Sequence, residues 1–151
     1  MSSPKDHPLL DDIEAAFKKL GWSYERLGGE DEHGGSLLLN LPDRDCLVEL
    51  FGDGRLACQF GVDMEEMRSL LTGDQTEDMA DDELVRVARY HLKAVVDRYR
   101  AALLREGLEE TVEATPDHYA IVFQTVLDLS SPQQVAHKVA RCLLAVEEPT
   151  H

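Results

Sequence analysis

The sequence predicts an α+β fold, an antiparallel sheet packed against helices, with elements in the order α-β-β-β(-β)-α-α-β-β-α. Three observations carry that expectation. Between residues 81 and 107, Leu84, Ala88, Leu92, Val95, Tyr99 and Leu103 recur at three- and four-residue steps, which makes one apolar stripe along a helix. Ahead of it, residues 36–62 alternate in polarity around a Gly52-Asp53-Gly54 turn. Behind it the period returns to two over 108–114 and 119–129, and a last helical pattern follows.

Taken in order, residues 1–7 lack periodicity and are expected to fray. From Pro8 a short helix begins, with Leu9, Ile13, Ala16, Phe17 and Leu20 on one side and Asp11, Asp12 and Glu14 complementing its positive end. Gly21 ends it, and Trp22 stands where a hydrophobic residue folds back on the last turn. A strand over 24–27 leads through a Gly-flanked acidic connection, 28–35, into a strand over 36–41 that Pro42 ends. A turn at 43–45 precedes the strand 46–51, and the chain returns over 55–62. Alternation puts Leu37, Leu39, Leu41, Val48, Leu50, Leu56, Cys58 and Phe60 on one face. The opposite face holds Asn40, Glu49 and Gln59 but also Leu38, Leu47 and Phe51, so it is only half polar.

Asp63, with Glu66 three residues on, then starts a brief helix whose apolar side is Met64, Met67, Leu70 and Leu71, and Gly73 stops it. The acidic connection 74–80 leads into the long helix, where about 26 residues span about 39 Å. Asp81 and Asp82 offer its N-cap and Gly107 its left-handed end. Its wet side carries Arg86, Arg89, Lys93, Asp97 and Arg100, a positive rib that is either solvated or docked on acids of the same chain or of a second copy. The strand over 108–114 suits an edge, because Glu109, Glu110 and Glu113 discourage further pairing. After a turn at 115–118, the strand over 119–129 is the most apolar and reads as central, with Ile121, Phe123 and Leu127 facing one way and Ala120, Val122 and Val126 the other. Ser131, Pro132 and Gln134 then spell a helix start, and Val135, Val139, Cys142, Leu143 and Val146 form its apolar side. Residues 147–151 are expected to be loose.

Length and charge bound the function. A chain of 151 residues fits one domain, 1–151, and at that size folding removes about 70% of the exposed surface without staples. Thirty acids against fifteen bases give a net charge of −15, which disfavours a phosphate backbone and an anionic membrane as partners. Cys46, Cys58 and Cys142 form no CxxC pair, and no secretory leader precedes them, so reduced core thiols in a cytoplasmic protein are expected. The apolar runs fall short of the ~20 residues that cross a bilayer.

Motifs that would name a reaction are missing, and no catalytic, cofactor or metal residue is assigned. His91, His118 and His137 stand on separate elements with no HxxxH or HExxH pairing. Asp74, Thr76 and Asp78 lack the glycine and distant glutamate of a calcium loop, Gly28-Gly29 and Gly34-Gly35 precede no helix start, and Ser131 is a cap rather than a nucleophile. Among carboxylates only Glu49, on a strand, is singled out. The expectation is a protein that is not an enzyme.

The run Ile13-Glu14-Ala15-Ala16-Phe17-Lys18-Lys19-Leu20-Gly21-Trp22-Ser23-Tyr24-Glu25 carries a first helix into a Leu-Gly-Trp turn and a strand. It resembles the start of YbjN-like proteins, described as sensory transduction regulators, and the element order resembles the type III secretion chaperone-like fold. That resemblance implies a non-enzymatic, often dimeric, cytoplasmic protein that binds another polypeptide through apolar patches. The apolar strip Leu38, Leu47, Phe51 and Val122 needs a cover, from the chain's own helices, a second subunit or a bound segment. The alternative is a regulatory or small-ligand-binding protein with a pocket between the long helix and the sheet.

Overall fold

A computed structural model describes residues 8–28, 35–41, 46–72 and 80–147. The connections expected at 28–35, 43–45 and 74–80, the stop at Gly73 and the loose ends fall wholly or mostly outside those residues. Helix α1 (Pro8–Lys19) is followed by strands β1 (Tyr24–Leu27), β2 (Ser36–Leu39), β3 (Cys46–Phe51) and β4 (Arg55–Asp63), then helices α2 (Met64–Thr72), α3 (Asp81–Val96) and α4 (Arg100–Arg105). Strands β5 (Glu109–Ala114) and β6 (His118–Val126) and helix α5 (Pro132–Glu147) complete the chain. The α+β class and the order of its elements are those the sequence predicts, with the expected long helix divided into α3 and α4.

All pairings are antiparallel, in the order β1-β2-β3-β4-β6-β5. The Gly54 turn sets Leu50 opposite Leu56 and Val48 opposite Cys58. The same face continues onto β6, where Cys58 pairs with Phe123 and Phe60 with Ile121. Residues of this face are buried with Leu10, Ile13 and Phe17 of α1, with Leu84, Ala88, Leu92 and Val96 of α3, with Leu103 of α4 and with Val135, Val139 and Cys142 of α5. All five helices contribute to that one core, since Met64 brings in α2. α1 packs on α5, α3 crosses β4 and β6, and α2 leans on α3. Each fully buried side chain of Leu, Ile or Phe size stabilises by about 1.5–3 kcal/mol. At the centre Phe60 stacks on Tyr99, with ring centroids 5.4 Å apart, and meets Phe123 edge-on.

Local signals end the helices where expected. Gly21 has φ 74°, its N–H donates to Lys18 O, and the N–H of Trp22 donates to Phe17 O. This doubly bonded C-terminus brings Trp22 back onto Phe17, ring centroids 4.9 Å apart. Gly107 repeats the device, with Leu108 bonded to Leu103 O and both leucines buried. Asp63 caps α2 by accepting from the N–H of Glu66 at 3.0 Å.

The expected single helix over 81–107 is instead two. At Asp97 the ladder is still i to i−4, but Arg98 bonds to Val95 O and Tyr99 to Val96 O, three residues back. This tightening needs no Pro or Gly: it lets Tyr99 reach Phe60, and lets Arg100 pair with both Asp97 and Glu110. α3 alone is therefore about 24 Å long. The turn shifts the buried stripe to Val96, leaving Val95 half-buried. The cap residue of α3 is Ala80, with no side-chain cap bond. Three helical apolar assignments also change: Leu10 of α1 is buried while Leu20 is 53% exposed, and on α2 Leu70 and Leu71 face solvent.

Candidate binding face

The sheet has one helix-covered face and one on which no helix packs among the described residues. Strand alternation fixes which side chains the second face carries. One row across the strands reads Glu25, Leu38, Glu49, Ala57, Gln124 and Glu109; a neighbouring row reads Leu47, Gln59, Val122 and Thr111. Phe51 lies in the row of Ser36, and Arg55 in the row of Val126. Leu38, Leu47, Phe51 and Val122 thus share this open face, as the alternation predicts.

Their exposure differs. Leu47 is 53% exposed, Leu38 and Phe51 are half-buried, and Val122 is 2% exposed. Val122, Ala57 and Ala120 form a small second cluster against which Phe51 packs. Val122 is therefore covered within its own face rather than by a helix, and Leu47, Leu38 and Phe51, with the exposed Leu27 and Val126 in the rows of Ser36 and Arg55, are apolar residues available to a partner. Strand β6, between β4 and the edge strand β5, is buried on both sides from Tyr119 to Phe123, with Tyr119, Ile121 and Phe123 in the main core.

Around the small cluster stands a polar layer. The guanidinium carbon of Arg55 sits 4.1 Å above the Phe51 ring centroid, a cation–π contact that pins the side chain flat on the sheet. Ser36, itself buried, donates its hydroxyl to Glu49 Oε2 at 2.5 Å. Gln59 Nε2 lies 3.2 Å from His118 Nε2; with the amide as donor, the ring nitrogen accepts and the proton sits on Nδ1. The His118 ring occupies the space over Gly61, where an added Cβ would stand 2.6 Å from Cε1.

Charge is distributed unequally. On the helical side Asp11 and Glu14 meet Arg26, and Asp97 and Glu110 meet Arg100, with Arg26 and Arg100 on the core-face rows or the helices. Glu106 accepts two bonds from Arg141, at 2.7 and 2.9 Å, and Arg141 holds its carboxyl below the usual range. On the open face Glu25, Glu109 and Glu113 are exposed and have no cationic partner among the described residues. The positive rib of the long helical region is thus partly docked on the chain's own acids, through Arg100 and Glu110.

Elsewhere the chemistry is sparse. All three cysteines are free and buried, and the adjacent Cys58 thiol, with burial, pushes the Cys142 thiol far up, away from a reactive thiolate. His91 and His137 are exposed on separate helices, and among the described residues no His, Cys, Asp and Glu group is arranged to hold a metal. The helical side carries several hollows. One of about 600 Å³ runs between α1 and α5 past Leu20, Trp22, Ala136 and His137. Another, of about 430 Å³, lies where β4, α2 and α3 meet, lined by Val62, Met67, Leu70, Val87 and His91. No helix among the described residues is long and apolar enough to cross a membrane.

Sequence reasoning missed Arg55, His118 and Gln124 as members of the open face. The Gly54 turn locates Arg55 beside Phe51, but His118 and Gln124 enter through the β4–β6 pairing, which joins residues about sixty positions apart and leaves no local trace.

Fold and face together define an α+β protein whose sheet is covered on one side. No family model matches the chain, and no curated protein matches it. Among solved structures it is similar to an uncharacterized protein from Methanothermobacter thermautotrophicus, at 11% identity and a TM-score of 0.44 over 91% of this chain and 90% of that chain.

Proposed function

We propose that this chain is a non-enzymatic, chaperone-like binding module of the cytoplasm, a homodimer that holds an extended segment of a partner polypeptide against its sheet. It is the reading implied by the resemblance to type III secretion chaperones and YbjN-like proteins. The observation that carries it is the one-sided cover: five helices contribute to one core, while Leu47, Leu38 and Phe51 lie on the face without a helix. Such a face offers apolar pockets at alternate positions to a strand-like ligand. Sedimentation velocity at micromolar concentration, with and without an extended peptide, tests the reading. A dimer that takes up peptide supports it; a monomer that binds no peptide of any charge overturns it.

A second reading, a small-ligand regulator, has its own observation in the hollow between α3, α2 and the end of β4. Thermal-shift measurements against a metabolite panel test it. A rise in Tm that Val87→Trp abolishes supports a ligand in that hollow, and a flat response across the panel counts against it.

A further inference from the structure

We propose that the occupant of the open face is a basic, extended segment of another polypeptide, rather than a second copy of this chain, and this inference rests on the binding-module reading above. Two independent features of the face specify that chemistry.

The first is charge. The register sets Glu25, Glu49, Glu109 and Glu113 on the open face against a single arginine, Arg55. On the helical side Asp11, Glu14, Asp97, Glu110 and Glu106 are matched by Arg26, Arg100 and Arg141, whereas Glu25, Glu109 and Glu113 lack such partners among the described residues. Two copies meeting through this face would bring like charges together, which disfavours that pairing, while a Lys- or Arg-bearing segment would neutralise them. A chain of net charge −15 steers such a segment in from a distance at low salt.

The second is an unmatched donor and acceptor. Arg55 Nε and Gln124 Oε1 are buried without a hydrogen-bond partner. Arg55 pairs with Val126 and Gln124 with Ala57, so the two side chains are diagonal neighbours on the same face. Both line one hollow of about 230 Å³, whose rim includes Glu109. A buried polar atom without a partner keeps its full desolvation penalty, so an occupant that satisfies both is favoured. Both atoms are sealed from solvent in the free protein, so an arriving segment reaches them as the Arg55 and Gln124 side chains turn outward; a residue in extended conformation, which turns its own N–H and C=O to the same side, then accepts from Arg55 Nε and donates to Gln124 Oε1. The acids then read the basic side chains of the segment, and Leu47 and Phe51 take the apolar ones between them.

The test is fluorescence anisotropy with a labelled peptide of about ten residues alternating lysine and valine, and with its counterpart alternating glutamate and valine. The lysine peptide binds and the glutamate peptide does not. The double variant Glu109→Gln/Glu113→Gln weakens the lysine peptide about tenfold. The control Glu65→Gln/Glu66→Gln removes the same charge from α2, on the opposite side, and changes affinity less than twofold. Gln124→Leu weakens binding several-fold at high salt as well as low, since the amide contact is short-ranged. Circular dichroism establishes that each variant is folded. Equal effects of the two charge-neutral pairs, equal binding of both peptides, or a dimer that excludes peptide through Leu47 would overturn the inference while leaving a binding module standing. A monomer that binds neither peptide would overturn both.

Discussion

The two faces of the sheet are built from the same strands and solve opposite problems. On the helical face, Leu37, Val48, Leu50, Leu56, Cys58, Phe60 and Phe123 are fully buried, and ion pairs through Arg26, Arg100 and Arg141 tie the helices to the strands and to one another. On the open face the apolar cluster is small, Leu47 protrudes, and acids stand without cations. The difference separates stability from recognition: the first face supplies the folding free energy, and the second is free to carry groups that only a partner satisfies. Substitutions should therefore divide by face.

The largest effect is expected at Phe60, the aromatic junction between Tyr99 and Phe123. Phe60→Ala should lower stability by about 3–5 kcal/mol in urea denaturation; a loss below about 1 kcal/mol would break the comparison. Next is Gly54, where the faces meet at the β3–β4 turn. Its φ is +99° and an added Cβ would stand 2.4 Å from the Leu127 carbonyl oxygen, so Gly54→Ala should cost about 1–3 kcal/mol. Smaller again is Ser36→Ala, which removes the donor to Glu49 and should cost about 1–2 kcal/mol, measured by the same denaturation. Leu47→Asp should change stability by no more than about 0.5 kcal/mol. It should nonetheless weaken peptide binding, which anisotropy would register, and leave the sedimentation of the free protein unchanged.

The last prediction concerns the helical side alone. The bonds from Arg141 depress the Glu106 carboxyl below its ordinary value of 4.5. A depressed carboxylate contributes stability fully present above its unfolded value and lost as the pH falls through the lowered one. Glu106→Gln should therefore flatten that part of the acid limb and leave peptide affinity at neutral pH unchanged. Altered affinity at pH 7 would mean that the two faces are coupled.

Local signals made most of the fold legible. Gly21 and Gly107 mark helix ends, Gly54 marks the hairpin, and the alternation assigns Leu37, Leu39, Val48, Leu50, Leu56, Cys58 and Phe60 to the core face and Leu38, Leu47, Glu49, Phe51 and Gln59 to the other. What the sequence could not carry is set by distant contacts. Residues 97–99 hold no breaker, and the helix is interrupted there because Tyr99 meets Phe60 and Arg100 meets Glu110. Leu70 and Leu71 fit a helical stripe by spacing, yet α2 turns them to solvent. The candidate face was half legible: Leu38, Leu47 and Phe51 follow from alternation, whereas the juxtaposition of Arg55 with Gln124 depends on the pairing of β4 with β6.

Backbone amide NMR during titration with the lysine–valine peptide addresses the face directly. Shift changes concentrated at Leu47, Gln59, Val122 and Gln124, with α1 and α5 unmoved, are the expected result. Changes confined to the helices, leaving those strand amides untouched, would contradict the assignment of recognition to the uncovered side.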